Sequence, residues 1–379
     1  MAIDFSFYSP TRIILKRGSI NSLCGYLLEF SPKRVLLVTG QNSLRSSGLL
    51  EGITKSLLEK NVLVFNFEGV KSDPDTAAVD KCLSFAKKNS CDMVVGIGGG
   101  SVIDCAKAVA GLFNEKGFKS SADYLEVDGT KNISSRGLPF VSVPTISGTG
   151  AEVTRNAVIT NTAKKTKRSI RHDFMYPALC LVDPELALAA SFEVSRASAI
   201  DALCHLLEGY MSRKSAPFSD MLALEGMEFI LSSISNLKNN LKDYGTRESI
   251  AYASLLGGLV LSNSGLTLSH GIGSVIGPRY GISHGVSCAI CLPGTIELNL
   301  PALNKDKQDK LKKLFGGDVA AKVRNILKFL EIPGQLSCFG ITEMDINKLA
   351  GESLDTSSAR GNPKDLCAAD VADLMKKCI

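Results

Sequence analysis

The chain has only four histidines among 379 residues, and three of them stand where an imidazole needs a chemical explanation. Asp201 and His205 lie four apart in SRASAIDALCHLLEGYMS (195–212), where apolar residues recur at three- and four-residue intervals. That spacing is helical, so carboxylate and imidazole share a face and can grip one ion. A solvated surface pair would have the same spacing. His270 in TLSHGIG and His284 in ISHGVS each precede a glycine among apolar neighbours, where an imidazole buried without a partner is costly. One carboxylate and three imidazoles suit ferrous iron or zinc, with a coordination position left for a substrate oxygen. Calcium or magnesium would want more oxygens.

A second constellation is built on glycine. After the apolar run MVVGI come Gly98, Gly99, Gly100 and Ser101, then VIDCAKAVAGLF, which has helix-forming composition. In a strand–turn–helix order, glycine lets the backbone approach a ligand, and the amides and dipole of the helix start favour a pyrophosphate. A plain tight turn would also use glycine, and the pattern is not the G-x-G-x-x-G fingerprint. Further on, VSVPTISGTG places Thr145, Ser147 and Thr149 with two glycines at the end of another strand. Their hydroxyls and amides are expected to line the same crevice. Cys288 and Cys291 form a C-x-x-C without a second such pair nearby, in an apolar setting that reads as packed helix. His172, in a basic stretch, reads as surface. No G-x-S-x-G elbow is present.

The elements that must position these groups follow from periodicity. RVLLVTG (34–40), NVLVFNF (61–67), DMVVGIGGG (92–100) and LPFVSVPT (138–145) alternate with helical segments, a βαβ rhythm that predicts a parallel sheet. The first 18 residues alternate like an extended strand, and residues up to DPEL (183–186) carry the last strands of this half. Beyond a boundary near 188, the segments 195–212, 220–241 and 248–265 have helical periodicity and almost no strand character. The expectation is an α/β dinucleotide-binding domain with a Rossmann-like parallel sheet over 1–188 and an all-helical metal-binding domain over 189–379, with a cleft between them.

Composition narrows the partners. A net charge of +5 without basic runs interleaved with aromatics excludes a nucleic-acid groove. The most apolar stretch, 93–113, is broken by Asp104 and Lys107, so no membrane span is expected. No export signal is visible, and the eleven cysteines are expected to be reduced thiols of a cytoplasmic protein.

Taken together, GGGSVIDCAK, PTISGTGAEVT, DPEL, DALCHLLEGY, SHGIG with SHGVSCAICLP, and GNPK (361–364) resemble the iron-containing (group III) alcohol dehydrogenases over essentially the full length. The resemblance implies a dehydroquinate synthase-like architecture and a metal held by Asp201, His205, His270 and His284. It implies a nicotinamide dinucleotide on Gly98 to Ser101 and Thr145 to Thr149, with Asp104, Asn156 and Lys167 in support, and a homodimer. The implied activity is NAD(P)-dependent interconversion of a small primary alcohol and its aldehyde or ketone. Two positions depart from the family pattern. Where members that prefer NAD have VTD, this chain has Val38-Thr39-Gly40; losing that acid removes repulsion of a 2′-phosphate, which Ser43 or Arg45 could contact, so NADP is favoured over NAD. Many members also carry HGMAH, and Ser274 stands here in place of the second histidine. The competing readings are a polyol dehydrogenase or a metal-dependent cyclising lyase of the same fold, and a non-catalytic nucleotide-binding protein.

Overall fold

The computed structural model describes residues 4–41 and 43–379, with only the backbone of Ser43. The chain divides into two compact units. One comprises residues 9–146 and 151–189; the other comprises 190–379, the described N-terminal residues up to Tyr8, and the four residues 147–150.

The first unit has strands β1 (Arg12–Leu15), β2 (Arg34–Thr39), β3 (Leu63–Phe67), β4 (Met93–Gly98), β5 (Phe140–Pro144), β6 (Asn156–Asn161), β7 (Thr166–Arg171) and β8 (Leu179–Val182). Its helices are α1 (Leu23–Leu28), α2 (Ser43–Ser46), α3 (Leu49–Leu58), α4 (Thr76–Lys88) and α5 (Gly100–Leu112). Six strands form a parallel sheet in the order β1-β8-β5-β4-β2-β3. Strand alternation splits its side chains between two cores. Leu36, Val38 and Val94 pack with α4 and α5, whereas Val35, Leu37, Met93, Val95 and Ile97 pack with α1 and α3. Both faces are therefore covered, which is why β2 and β4 are nearly continuous apolar runs.

The first strand forms one edge of this sheet, paired to β8 as Arg12↔Leu179 through Leu15↔Val182. Asp183 reinforces the pairing by accepting from the amides of Gly18 and Ile20, each at 3.1 Å. The sequence pattern did not separate β6 and β7, which form an antiparallel hairpin of their own.

The second unit is helical throughout its described elements: α6 (Phe192–Met211), α7 (Pro217–Asn239), α8 (Tyr244–Ser264), α9 (Leu268–Tyr280), α10 (His284–Asn299), α11 (Lys305–Phe315), α12 (Val319–Phe329), α13 (Glu343–Leu354) and α14 (Ala368–Lys376). Between α8 and α9 the chain turns by 105°, through Gly265 at φ +66°. No single helix among the described residues is long and apolar enough to cross a membrane.

Candidate active site

The nucleotide-binding candidates collect at the carboxyl edge of the sheet. Register places Thr39 beside Ile97 and Gly98 beside Pro144, so Gly40, Gly98 and Thr145 leave neighbouring strands at the same edge. The chain runs outward from β2 to β3 and returns to place β4 on the other side of β2, a topological switch point of the kind that opens a ligand crevice. Gly98 is required sterically, since a Cβ there would lie 2.6 Å from Val102 Cγ2; one on Gly99 would meet Ile146 at 3.1 Å. Gly99 caps the 13-residue α5, which begins at Gly100 and has no side-chain cap, leaving its first amides to an anion.

Around this turn, Ser101 Oγ accepts from the Asp73 amide at 3.2 Å, and the Asp73 carboxylate pairs with Lys167 Nζ at 2.5 Å. Ser101 and Lys167 are thus joined through a residue the sequence did not suggest. Asp104 accepts from the Val158 amide at 3.0 Å, pinning α5 to β6. The Asn156 carbonyl accepts from Lys107 Nζ at 2.8 Å, as do Ala151 O at 2.6 Å and Thr154 Oγ1 at 2.9 Å. Burial lowers the Lys107 pKa to about 8, and it raises that of the equally buried Glu152 to about 7. Thr145 donates its amide to Gly98 O at 2.9 Å, while Ser147 and Thr149 belong to the helical unit. There the bare Cα of Gly148 permits an approach to the Ser198 backbone that a Cβ, at 2.5 Å, would prevent. The side chain of Ser43 lies outside the described residues. His172 is half-buried and accepts the Phe174 amide at 3.1 Å.

The metal-ligand candidates converge within the helical unit. Asp201 and His205 project from α6, His270 from the first turn of α9, and His284 is the first residue of α10. Asp201 Oδ1 lies 3.9 Å from His205 Nε2, 3.6 Å from His270 Nε2 and 3.9 Å from His284 Nε2. The His205 and His270 rings stack with centroids 4.7 Å apart, and His284 meets His270 edge-on at 5.3 Å. Gly285 permits this arrangement, because a Cβ there would lie 2.0 Å from Ala197 O and 3.0 Å from Asp201 Cβ.

These separations are too long for hydrogen bonds. They approach the edges of a coordination polyhedron, about 3.4 Å for a tetrahedron with metal–ligand bonds of about 2.1 Å. Asp201 Oδ1, His205 Nδ1 and His270 Nε2 are buried and have no hydrogen-bond partner, at a cost of about 1–3 kcal/mol each. A divalent cation would satisfy the two that face each other, and the donor set fits iron or zinc. Burial pushes the Asp201 carboxyl up, but His205, His284 and His270 outweigh it and hold it well below its ordinary range. Burial brings His205 down to about 4, so it is neutral and able to ligate at neutral pH.

Family models agree with both halves. The iron-containing alcohol dehydrogenase model matches residues 10–184, and the C-terminal model of the Fe-containing alcohol dehydrogenase family matches 195–379. The chain belongs to the iron-containing alcohol dehydrogenase family. It is an oxidoreductase that interconverts alcohol and carbonyl with a nicotinamide cofactor. The NAD-dependent methanol dehydrogenase of Bacillus methanolicus is 30% identical over 99% of this chain and 100% of its own length. The 1,3-propanediol dehydrogenase of Klebsiella pneumoniae is 29% identical over 99% of this chain and 97% of its own. The iron-containing alcohol dehydrogenase structure from Thermotoga maritima superimposes with a TM-score of 0.86 at 30% identity, covering 99% of each chain.

For an alcohol dehydrogenase of this family, the sequence reading left out Glu208. This fully buried carboxylate accepts from Thr267 N at 3.2 Å, Thr267 Oγ1 at 2.7 Å and His270 N at 3.2 Å on Oε1, while Oε2 contacts His270 Nδ1. It caps α9 and, as an acceptor-only carboxylate, keeps a proton on His270 Nδ1, leaving Nε2 as the ring nitrogen on the Asp201 side. Its burial opposes ionisation, but His270 and the donated hydrogen bonds hold its pKa below the ordinary value. The signal was present in the seven-residue spacing from Asp201, two turns along the same helix face. Cys288, read as packing, is also adjacent: its Sγ and one donor atom each from Asp201, His270 and His284 all lie within 4.8 Å of one another.

Proposed function

We propose that this enzyme interconverts a small primary alcohol and its aldehyde, with Asp201, His205, His270 and His284 holding ferrous iron, or zinc as the alternative. The observation that carries this reading is the convergence of those four side chains around buried donor atoms without hydrogen-bond partners. When bound, the metal supplies Lewis acidity toward the substrate oxygen and the nicotinamide supplies or takes up hydride. The chain's own groups set the stage. Glu208 keeps the His270 proton on the far nitrogen, and the first turn of α5 offers amides to the pyrophosphate. Gly98, Gly99, Gly100, Ser101 and Thr145 form the phosphate rim, with Asp104, Ser147, Thr149, Asn156 and Lys167 in support. The Ser274 hydroxyl donates to Gly271 O at 2.9 Å, which commits its proton within the helix and argues against Ser274 as the relay to substrate.

NADP is favoured over NAD, because Gly40 provides no carboxylate to repel a 2′-phosphate. Arg45, the cation assigned to that phosphate along with Ser43, is held by Glu68 through Nε at 3.0 Å and Nη2 at 2.7 Å. A phosphate must therefore compete with Glu68, which narrows the preference. Eleven free thiols suit a reducing cytoplasm, and the exposed Phe5, Tyr8, Phe218 and Met221 supply apolar surface for a homodimer. The experiment is anaerobic oxidation of NADPH and NADH by iron- or zinc-loaded protein with short aldehydes, beside a chelated control. Metal-dependent turnover is expected, and turnover unaffected by chelation would overturn the assignment.

A further inference from the structure

We propose that Cys288 is itself a ligand, its thiolate joining Asp201, His270 and His284 on the ion and tilting the site from iron toward zinc; this rests on the metal-centre reading above. The argument begins with the helix. Cys288 lies one turn after His284 on α10, so the two side chains share a face, and Sγ is 3.9 Å from both His284 ring nitrogens. Among the described residues, Asp201, His270, His284 and Cys288 form the grouping in which every pair of ligand atoms is within 4.8 Å. Bonds of about 2.0–2.3 Å place ligand atoms about 3.3–3.8 Å apart in a tetrahedron, so closure needs movements of about an ångström. Two of the atoms facing the thiol, Asp201 Oδ1 and His270 Nε2, are buried and unpartnered.

The packing holds the sulfur in place. Cys288 is fully buried against Gly273, where a Cβ would come within 2.6 Å of Sγ. Its carbonyl accepts from Ser269 Oγ at 2.5 Å, tying it to the helix that bears His270. His205, 3.9 Å from Asp201, remains available as a further donor. Ligation forms one metal–sulfur bond and releases the thiol proton to solvent, with no change in oxidation state. A soft thiolate raises affinity for zinc and cobalt relative to ferrous iron.

The test is the absorption spectrum of the full-length protein loaded with cobalt(II). Thiolate ligation gives an intense sulfur-to-cobalt band in the near ultraviolet, apart from the visible bands that any bound cobalt shows. Wild-type protein is expected to have both; Cys288→Ser should lose only the near-ultraviolet band, while Cys291→Ser keeps both. The zinc-to-iron affinity ratio should fall about tenfold in Cys288→Ser. Visible bands without the near-ultraviolet band in wild type, or that band persisting in Cys288→Ser, would overturn the proposal and leave the metal centre standing. Absence of any cobalt binding would overturn both. The wild-type spectrum requires no variant, and Cys288→Ala provides a second one if the serine does not fold.

Discussion

Replacing Glu208 by glutamine separates the charge of this residue from its shape. Three donors converge on Oε1, at 3.2, 2.7 and 3.2 Å, and only an oxygen can accept them. The glutamine amide must therefore keep its carbonyl there and direct its NH₂ group at His270 Nδ1. That nitrogen then has to accept, which forces the imidazole proton onto Nε2, the atom 3.6 Å from Asp201 Oδ1. A protonated Nε2 cannot ligate, so the cation competes with the wrong tautomer. Changing such a partner of a ligating histidine costs about 10- to 100-fold in metal affinity, or about 1.4–2.8 kcal/mol. The α9 cap should survive, and the metal-free melting temperature should stay close to wild type. The assay is chelator competition for zinc, alongside nitrogen NMR of the imidazoles to read the tautomer. Wild-type affinity with the Nδ1 proton still in place would refute the reasoning.

Gly40→Asp should shift kcat/KM about tenfold or more toward NADH; the nearest atom to a Cβ there is Val102 Cγ2 at 3.8 Å, so the side chain fits, and an unchanged ratio would remove Gly40 from cofactor selection. Chelation should lower the melting temperature by about 3–4 °C relative to protein held at about 100 times the metal's Kd, since that loading is worth about 2.7 kcal/mol; coincident melts would mean the orphaned polar atoms hold no ion. Burial raises Glu152 from its ordinary 4.5 to about 7. The stability this protonated group contributes is complete below the unfolded value and is lost as pH rises through about 7. Glu152→Gln should flatten that decline in denaturant titrations between pH 4.5 and 7, and an unaltered slope would show that the carboxyl is ionised in the fold.

The strand–glycine–helix unit at 93–112 was legible because local signals agree: a β-branched run, a turn only glycine can make, and a helix with helix-forming composition. The candidate metal donors were legible through rarity: of only four histidines, two precede glycines and a third lies four residues from an aspartate in a helical pattern. Glu208 was not singled out because its spacing from Asp201 shows only a shared helix face and does not mark it as the cap of a helix that starts 60 residues later. Residues 156–171 were not resolved into a hairpin because their polar, lysine-rich composition lacks alternation; cross-strand pairing holds that structure together. Nor could local pattern assign 147–150 to the helical unit, which depends on the bare Cα of Gly148 meeting the Ser198 backbone.

Solvent reaches the four imidazole and carboxylate donors unequally. The side chains of Asp201, His205 and His270 are 3–5% exposed, whereas that of His284 is 39% exposed. His284 is also the first residue of its helix, after a Ser283 that makes no side-chain cap, and an uncapped first turn frays most readily. If the four side chains hold an ion as proposed, His284 would be the donor through which that ion meets solvent. Loss or replacement of the ion would then be a local event at one helix end and would not require the bundle to unfold.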